Sequence, residues 1–225
     1  MNKNIYDTTD HLCEGMATWL TEIISATLKQ QEFFTMALSG GNTPKQLYKK
    51  LASEAFREKI NWQRVHIFWG DERVVPFTDD RNNAKMAFDN LLEIVNVPRA
   101  QIHEMRTDIE PIFAANEYQD ILETYFENTG NSFDLVLLGL GDDGHTLSLF
   151  PKEEIREEQH KWVSAVYNRE QEMYRITLLP SIVNRSSYIA FMVTGKSKSY
   201  ILQKVLDGPY DPYTLPAQII NPIHG

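Results

Sequence analysis

The chain has 225 residues, a formal net charge of -9 and a single cysteine, Cys13. That length allows one α/β domain with a sizeable core, and an acidic chain without basic runs is a poor partner for nucleic acid or anionic membrane. One cysteine excludes an internal disulfide framework and a thiolate metal cluster, and no apolar stretch approaches the roughly eighteen residues that a membrane span needs. With a polar start, Met1-Asn2-Lys3-Asn4, in place of a signal peptide, the sequence predicts a single soluble domain over 1–225 that works in the reducing cytoplasm.

Apolar residues at Leu12, Met16, Trp19, Leu20, Ile23 and Ile24 recur at helical spacing and place Cys13 in a helix core. Phe33 to Leu38 then reads as a strand, followed by a helix over 43–57 and a strand from Val65 to Trp69. Helices near 82–94 and 111–128 precede a strand over 133–139, and strands near 162–166, 173–178 and 187–193 precede a last helix near 197–206. This alternation predicts an α/β fold with a doubly wound, mostly parallel sheet flanked by helices. A tail carrying Pro209, Pro212, Pro216 and Pro222 is expected to be irregular and to lie over the surface.

The most chemically informative stretch runs from Phe133 to Pro151. Leu135 to Leu138 reads as a strand covered on both faces, and Gly139, Gly141 and Gly144 let the backbone turn to deliver His145 beyond its carboxyl end. Ligands of open α/β sheets bind there, which makes His145 a candidate for acid–base work, although Asp143-Gly144 is also an ordinary turn signal. Gly139 to Gly144 fits the dinucleotide pattern G-x-G-x-x-G as well. That reading is rejected: Asp142 and Asp143 stand where a pyrophosphate needs uncompensated N–H dipoles, and Pro151 cuts off a long helix. The distal acid of that pattern is matched only by Glu157 and Glu158, in a run from Lys152 to Glu158 that reads as a solvated face. Asp142, Asp143 and His145 crowd one turn too closely to share a metal, and Ser148 lacks the G-x-S-x-G elbow of an activated nucleophile. No metal is expected at this site.

Two further strand ends carry polar clusters. After the first strand, Ser39-Gly40-Gly41-Asn42-Thr43-Pro44-Lys45-Gln46 combines glycines with a helix start; Thr43 with Gln46 makes a capping box and Pro44 fits the first helical position. Capping leaves Gly40 and Gly41 unexplained, and free N–H groups at a helix start form a ready anion site. After the second, Gly70-Asp71-Glu72-Arg73 places Asp71 and Arg73 either in the same cleft or in a local exposed ion pair. Arg175, flanked by apolar strand residues, needs an anion or carboxylate partner, while Lys196 after Thr194-Gly195 reads by itself as a surface lysine.

Together these motifs resemble the 6-phosphogluconolactonases of the wider glucosamine-6-phosphate isomerase group. Ser39-Gly-Gly-Asn-Thr-Pro, Asp71-Glu-Arg, the Asp79 to Asn83 loop, Gly139-x-Gly-x-Asp-Gly-His-Thr-x-Ser-Leu-Phe-Pro151, Arg175-Ile-Thr-Leu and Thr194-Gly-x-Lys196 occur in the family's order over about residues 10–220. The resemblance implies a Rossmann-like sandwich and hydrolysis of 6-phospho-D-glucono-1,5-lactone to 6-phospho-D-gluconate in the oxidative pentose phosphate pathway, with no cofactor. It implies phosphate binding by Gly40, Gly41, Asn42, Thr43, Arg175 and Lys196, and His145 as the general base that activates water. Asp143 would orient the imidazole, and Asp71 and Arg73 would serve the sugar and carbonyl end. Asn42 departs from the family's usual serine, and the chain stops short of the family's further helical segment. The expected partner is a small phosphorylated sugar lactone, with no nucleic acid or membrane, on a monomer or weak homo-oligomer. Two rival readings stand beside it: an isomerase or deaminase acting on an amino-sugar phosphate, and a non-catalytic sugar-phosphate sensor.

Overall fold

A computed structural model describes residues 1–153 and 161–223, so most of the acidic run that ends at Glu157 and Glu158 lies outside the described residues. Among the described residues seven strands are formed: β1 (Phe34–Leu38), β2 (Val65–Trp69), β3 (Asp71–Arg73), β4 (Leu135–Leu138), β5 (Val163–Asn168), β6 (Met173–Leu178) and β7 (Tyr188–Phe191). Six α-helices accompany them in the same described residues: α1 (Thr9–Thr27), α2 (Asn42–Leu51), α3 (Asn83–Ala87), α4 (Pro111–Phe126), α5 (Pro180–Val183) and α6 (Ser199–Asp207). None is long and apolar enough to cross a membrane.

The main sheet is parallel throughout, in the order β2-β1-β4-β7. Every residue of β1 and β4 is buried, as continuous apolar runs in a sheet covered on both faces must be. From β1 the chain winds outward to β2, then returns to place β4 on the other side of β1. The strand order therefore reverses between β1 and β4, and the crevice of such a sheet opens at the carboxyl ends of that pair. The loops that leave those ends are Ser39 to Gly41 and Gly139 to His145.

Polar side chains fix both ends of this arrangement. At the amino edge, Thr35 donates its N–H (2.7 Å) and hydroxyl (2.9 Å) to Asp134 Oδ2, which pins β1 beside β4. At the carboxyl edge, where ladder bonding runs out, two buried tyrosines take over. The Tyr48 hydroxyl donates to Ser39 O at 2.7 Å and accepts from Ser39 N at 3.0 Å. The Tyr118 hydroxyl accepts from Trp69 N at 2.8 Å and donates to Trp69 O at 3.2 Å. Each satisfies a donor and an acceptor that would otherwise be buried unpaired, at a cost of about 1–3 kcal/mol apiece. Complete burial pushes both phenols well above their ordinary range, so they stay protonated.

A second sheet, β3-β6-β5, is antiparallel. The short span between Asn168 and Met173 cannot hold a parallel crossover, and Asn168 Oδ1 accepts from Gln171 N at 2.8 Å to form the turn. Elsewhere the boundaries differ in detail. The helix expected over 43–57 ends at Leu51, and the one expected near 82–94 is α3 followed by a π turn, Phe88–Leu92. Cys13 is buried in α1, as read from the sequence. The tail departs from expectation: Pro216–Ile219 forms a 3₁₀ turn with Pro216, Ala217 and Ile219 buried, and Ala217 N donates to Gly144 O at 3.0 Å. Apolar side chains between the prolines (Leu215, Ala217 and Ile219) draw the tail against Leu140 and Leu149 instead of leaving it on the surface.

Candidate active site at the carboxyl ends of the strands

Helix α2 begins differently from the capping box read in the sequence. Gly41, at φ +104°, is its N-cap, and no side chain caps the helix. Thr43 and Pro44 are the second and third helical residues, two positions later than a Thr cap with Pro at the first place would put them. The Thr43 hydroxyl instead meets Thr194 Oγ1 at 2.7 Å, tying the end of β1 to the loop after β7. The first amides of α2 are left without an intrahelical acceptor or a side-chain cap, which is the condition for anion binding. Gly40 is needed for another reason: a Cβ there would run into the Asn83 carboxamide.

That carboxamide organises the loop after β2. Asn83 Nδ2 donates to Asp71 O at 2.9 Å, and Asn83 Oδ1 accepts from Arg73 Nη1 at 2.9 Å. Glu72, buried, accepts from Arg73 N, Asn83 N and Ala84 N, each at 2.7 Å, and so caps α3 through its first turn. Burial pushes its carboxyl up to about 7, against the pull of those three donors. The local ion pair considered for Asp71 and Arg73 does not form. Arg73 turns to Arg81 O (2.8 Å) and Asn83, while Asp71 Oδ2 accepts from the Ser148 hydroxyl at 2.7 Å and lies 3.9 Å from Arg175 Nη1.

Arg175 stands opposite Arg73 across the β3–β6 ladder, 5% exposed. Its partners are Gln171 Oε1 and the distant Asp71 carboxylate, and the Nε atoms of Arg175 and Arg73 are both buried without a hydrogen-bond partner among the described residues. Burial, then the neighbouring Arg73 charge, lowers Arg175 to about 10, so it remains a cation at neutral pH. Two under-compensated guanidinium groups in low-dielectric surroundings create a local positive potential in an acidic protein. Lys196 is exposed, two residues beyond Thr194, and Lys198 pairs with Asp142 at 2.9 Å.

The loop after β4 folds tightly upon itself. Gly141 N donates to His145 O at 2.8 Å, Gly144 takes φ +88°, and a Cβ on Gly141 would strike the His145 ring. Asp143 Oδ1 accepts from His145 N at 3.0 Å and lies 2.6 Å from His145 Nδ1. Partial burial raises the Asp143 carboxyl, but the bonds and charge from His145 outweigh it and hold it below the usual carboxylate range. Ionised Asp143 thus fixes the proton on Nδ1 and leaves Nε2 as the free base. The ring is one-third exposed and packs at 5.1 Å against Phe150. Two residues on, Leu147 takes φ +54° and reaches back over Gly70, and Ser148 N donates to Thr177 Oγ1 at 3.1 Å.

Contacts join part of the expected set into one group, Gly40 to Asn83, Asn83 to Asp71 and Arg73, and Asp71 to Ser148 and Arg175, while Thr43–Thr194 and Asp143–His145 are separate pairs on the same sheet edge. Glu72, Asn83, Ser148, Thr177 and Thr194 were given no individual role by the sequence. Asn82-Asn83 before Ala84-Lys85-Met86-Ala87 was a legible helix start, and Asn82 Oδ1 does cap α3 by accepting from Lys85 N at 2.7 Å. A cleft of about 590 Å³ opens elsewhere, lined among others by Phe77, Arg99, His103 and Arg106. It holds none of the expected site residues, and its arginines are paired with Glu104 and Asp108, so the chemistry favours the strand ends.

The family described as glucosamine-6-phosphate isomerases/6-phosphogluconolactonase matches residues 7–225. The chain belongs to this family. A 6-phosphogluconolactonase from Synechocystis sp. is 38% identical over 215 residues, which cover 94% of this chain and 87% of that one. The crystal structure of the devB protein superposes with a TM-score of 0.90 at 29% identity, covering 100% of this chain and 93% of that one. A 6-phosphogluconolactonase from Thermotoga maritima gives a TM-score of 0.82 at 27% identity, covering 94% and 91%. The family's description spans two chemistries, and the ring beside His145 in this chain is the phenyl group of Phe150.

Proposed function

We propose that this protein hydrolyses 6-phospho-D-glucono-1,5-lactone to 6-phospho-D-gluconate, with His145 as general base. The observation that carries the reading is the 2.6 Å contact of His145 Nδ1 with Asp143, on the same sheet edge as the uncapped start of α2. The phosphate is received by the backbone N–H groups of Gly40, Gly41, Asn42 and Thr43, with Arg175 and Lys196 supplying positive charge. His145 Nε2 takes a proton from water as its oxygen bonds to the lactone carbonyl carbon. The resulting oxyanion needs a donor, and Arg73, held by Asn83, is the cation at that end. Collapse breaks the bond from the carbonyl carbon to the ring oxygen, which leaves with the proton returned by the imidazolium. Asp71, oriented by Ser148, faces the sugar hydroxyls.

The demands are modest because a δ-lactone is already activated. A general base supplies about 10²- to 10⁴-fold and an oxyanion donor about 3 kcal/mol, with no covalent nucleophile. Ser148 supports that view, since its hydroxyl is spent on Asp71. Proton shuttling between sugar carbons, by contrast, needs a second acid or base near the histidine, and Phe150 offers neither. The test gives the pure protein 6-phosphogluconolactone and glucosamine 6-phosphate side by side, correcting for spontaneous hydrolysis. Accelerated lactone opening that His145→Asn abolishes is the expected result; ammonia release without lactone hydrolysis overturns the reading, and tight binding without turnover of either assigns a sensor.

A further inference from the structure

We propose that His66, His103 and Tyr125 form a binding site for a divalent transition-metal ion of the zinc type, at the amino end of β2 and away from the strand ends that carry the chemistry. Among the described residues no group of three His, Cys, Asp or Glu side chains is arranged to hold a metal. The third donor here is a phenol.

Three separate elements deliver these side chains. His66 is the second residue of β2. His103 follows Ile102, whose bridge to Ile67 lays extra backbone along the free edge of β2, and His103 N donates to Ile67 O at 2.8 Å. Tyr125 comes from the last turn of α4. The Tyr125 hydroxyl lies 2.9 Å from both His66 Nδ1 and His103 Nε2, and the two nitrogens are 3.3 Å apart. A tetrahedral ion with ligand distances of about 2.0–2.1 Å separates its donors by about 3.3 Å. The nitrogens already have that spacing, and the phenol oxygen needs to move outward by only a few tenths of an ångström.

The surroundings favour a cation that displaces protons. One phenol proton can serve only one of the two nitrogens, so hydrogen bonding alone requires one imidazole to turn its N–H inward. Aromatic walls hold the rings in place: Phe68 stacks on His103 at 4.5 Å and Phe33 lies 4.8 Å from His66. The nearby Arg99 charge is matched by Glu104 at 2.8 Å. All three donors are only partly buried, so an ion can reach them and water can complete the shell. Two imidazoles and a phenol suit Zn²⁺, and Cu²⁺ more tightly, but not Mg²⁺ or Ca²⁺, which require oxygen ligands.

Titration of the metal-free protein with ZnCl₂ near neutral pH, followed by calorimetry and by histidine nitrogen NMR, tests the site. The expected result includes one Zn²⁺ bound with shifts at His66 Nδ1 and His103 Nε2, no response to Mg²⁺, and a raised Tm. His66→Gln and His103→Gln should each weaken binding by about tenfold or more, Tyr125→Phe less, and His145→Gln not at all. Unchanged affinity in both histidine variants, or loss of binding in His145→Gln, overturns the proposal. Should the histidine variants fold poorly, the wild-type spectrum decides alone: unshifted His66 and His103 nitrogens at saturating Zn²⁺ overturn it.

Discussion

Histidine appears in two opposite settings in this protein. His145, beyond the carboxyl end of β4, is one-third exposed and bonded to an ionised aspartate, whereas His66 and His103, near the amino end of β2, are desolvated and face each other and a phenol. The first setting holds the imidazole by Nδ1 against Asp143 and leaves its other nitrogen facing outward. The second penalises the cation and keeps the ring a neutral donor of lone pairs. Residue type therefore says little about a histidine's role; the charge and solvation of its neighbours decide it.

Exchanging the two settings' histidines is the sharpest way to break that contrast. His145→Asn should lower kcat/KM by about 10²- to 10⁴-fold with Tm unchanged, read by a lactone assay corrected for the spontaneous rate. His103→Phe should leave kcat/KM near wild type; if it instead abolished turnover, the two settings would not be functionally separate. Asp143→Asn comes next. It retains the ring but removes the charge that fixes the Nδ1 proton, so kcat should fall, by less than in His145→Asn, while KM holds.

Arg175→Ala should raise KM by roughly tenfold, the worth of one charge-assisted hydrogen bond, with a smaller change in kcat. Equal loss in kcat with constant KM would move Arg175 from ground-state binding to the transition state. The smallest effect concerns acid stability. An unfolded histidine takes up a proton near pH 6.5, but His103 in the folded protein resists it to about 4. The unfolded state thus binds more protons in that window, so stability is full above it and falls as pH drops through it. Partial solvation keeps the slope below ~1.4 kcal/mol per pH unit. Tm measured across the window should flatten in His103→Phe.

The parallel sheet and the histidine loop were legible because buried parallel strands write themselves as unbroken apolar runs, as Leu135 to Leu138 do, ending in glycine. Short polar elements were not. Asp71–Arg73 has no apolar pattern, and it becomes a strand only because Arg175 and Thr177 pair with it from a hundred residues away. Glu72 carried no pattern of its own; only the start of α3 folding over it makes it a buried cap. The Thr43–Gln46 spacing fitted a capping box well, yet tertiary contact between Thr43 and Thr194 took the hydroxyl. The His66–His103–Tyr125 group was invisible for the same reason: its members are strangers in sequence.

The bond from Ala217 N to Gly144 O has a consequence for how the protein is made. Every strand is synthesised before residues 215–219, so the brace that Leu215 and Ala217 lay on Gly144 is the last support the histidine loop receives. The growing chain can complete its parallel sheet without completing its catalyst. A chain halted at Pro209 would keep the bonds inside that loop, Gly141 N to His145 O and Asp143 to His145, yet lack the contacts that hold the loop from outside.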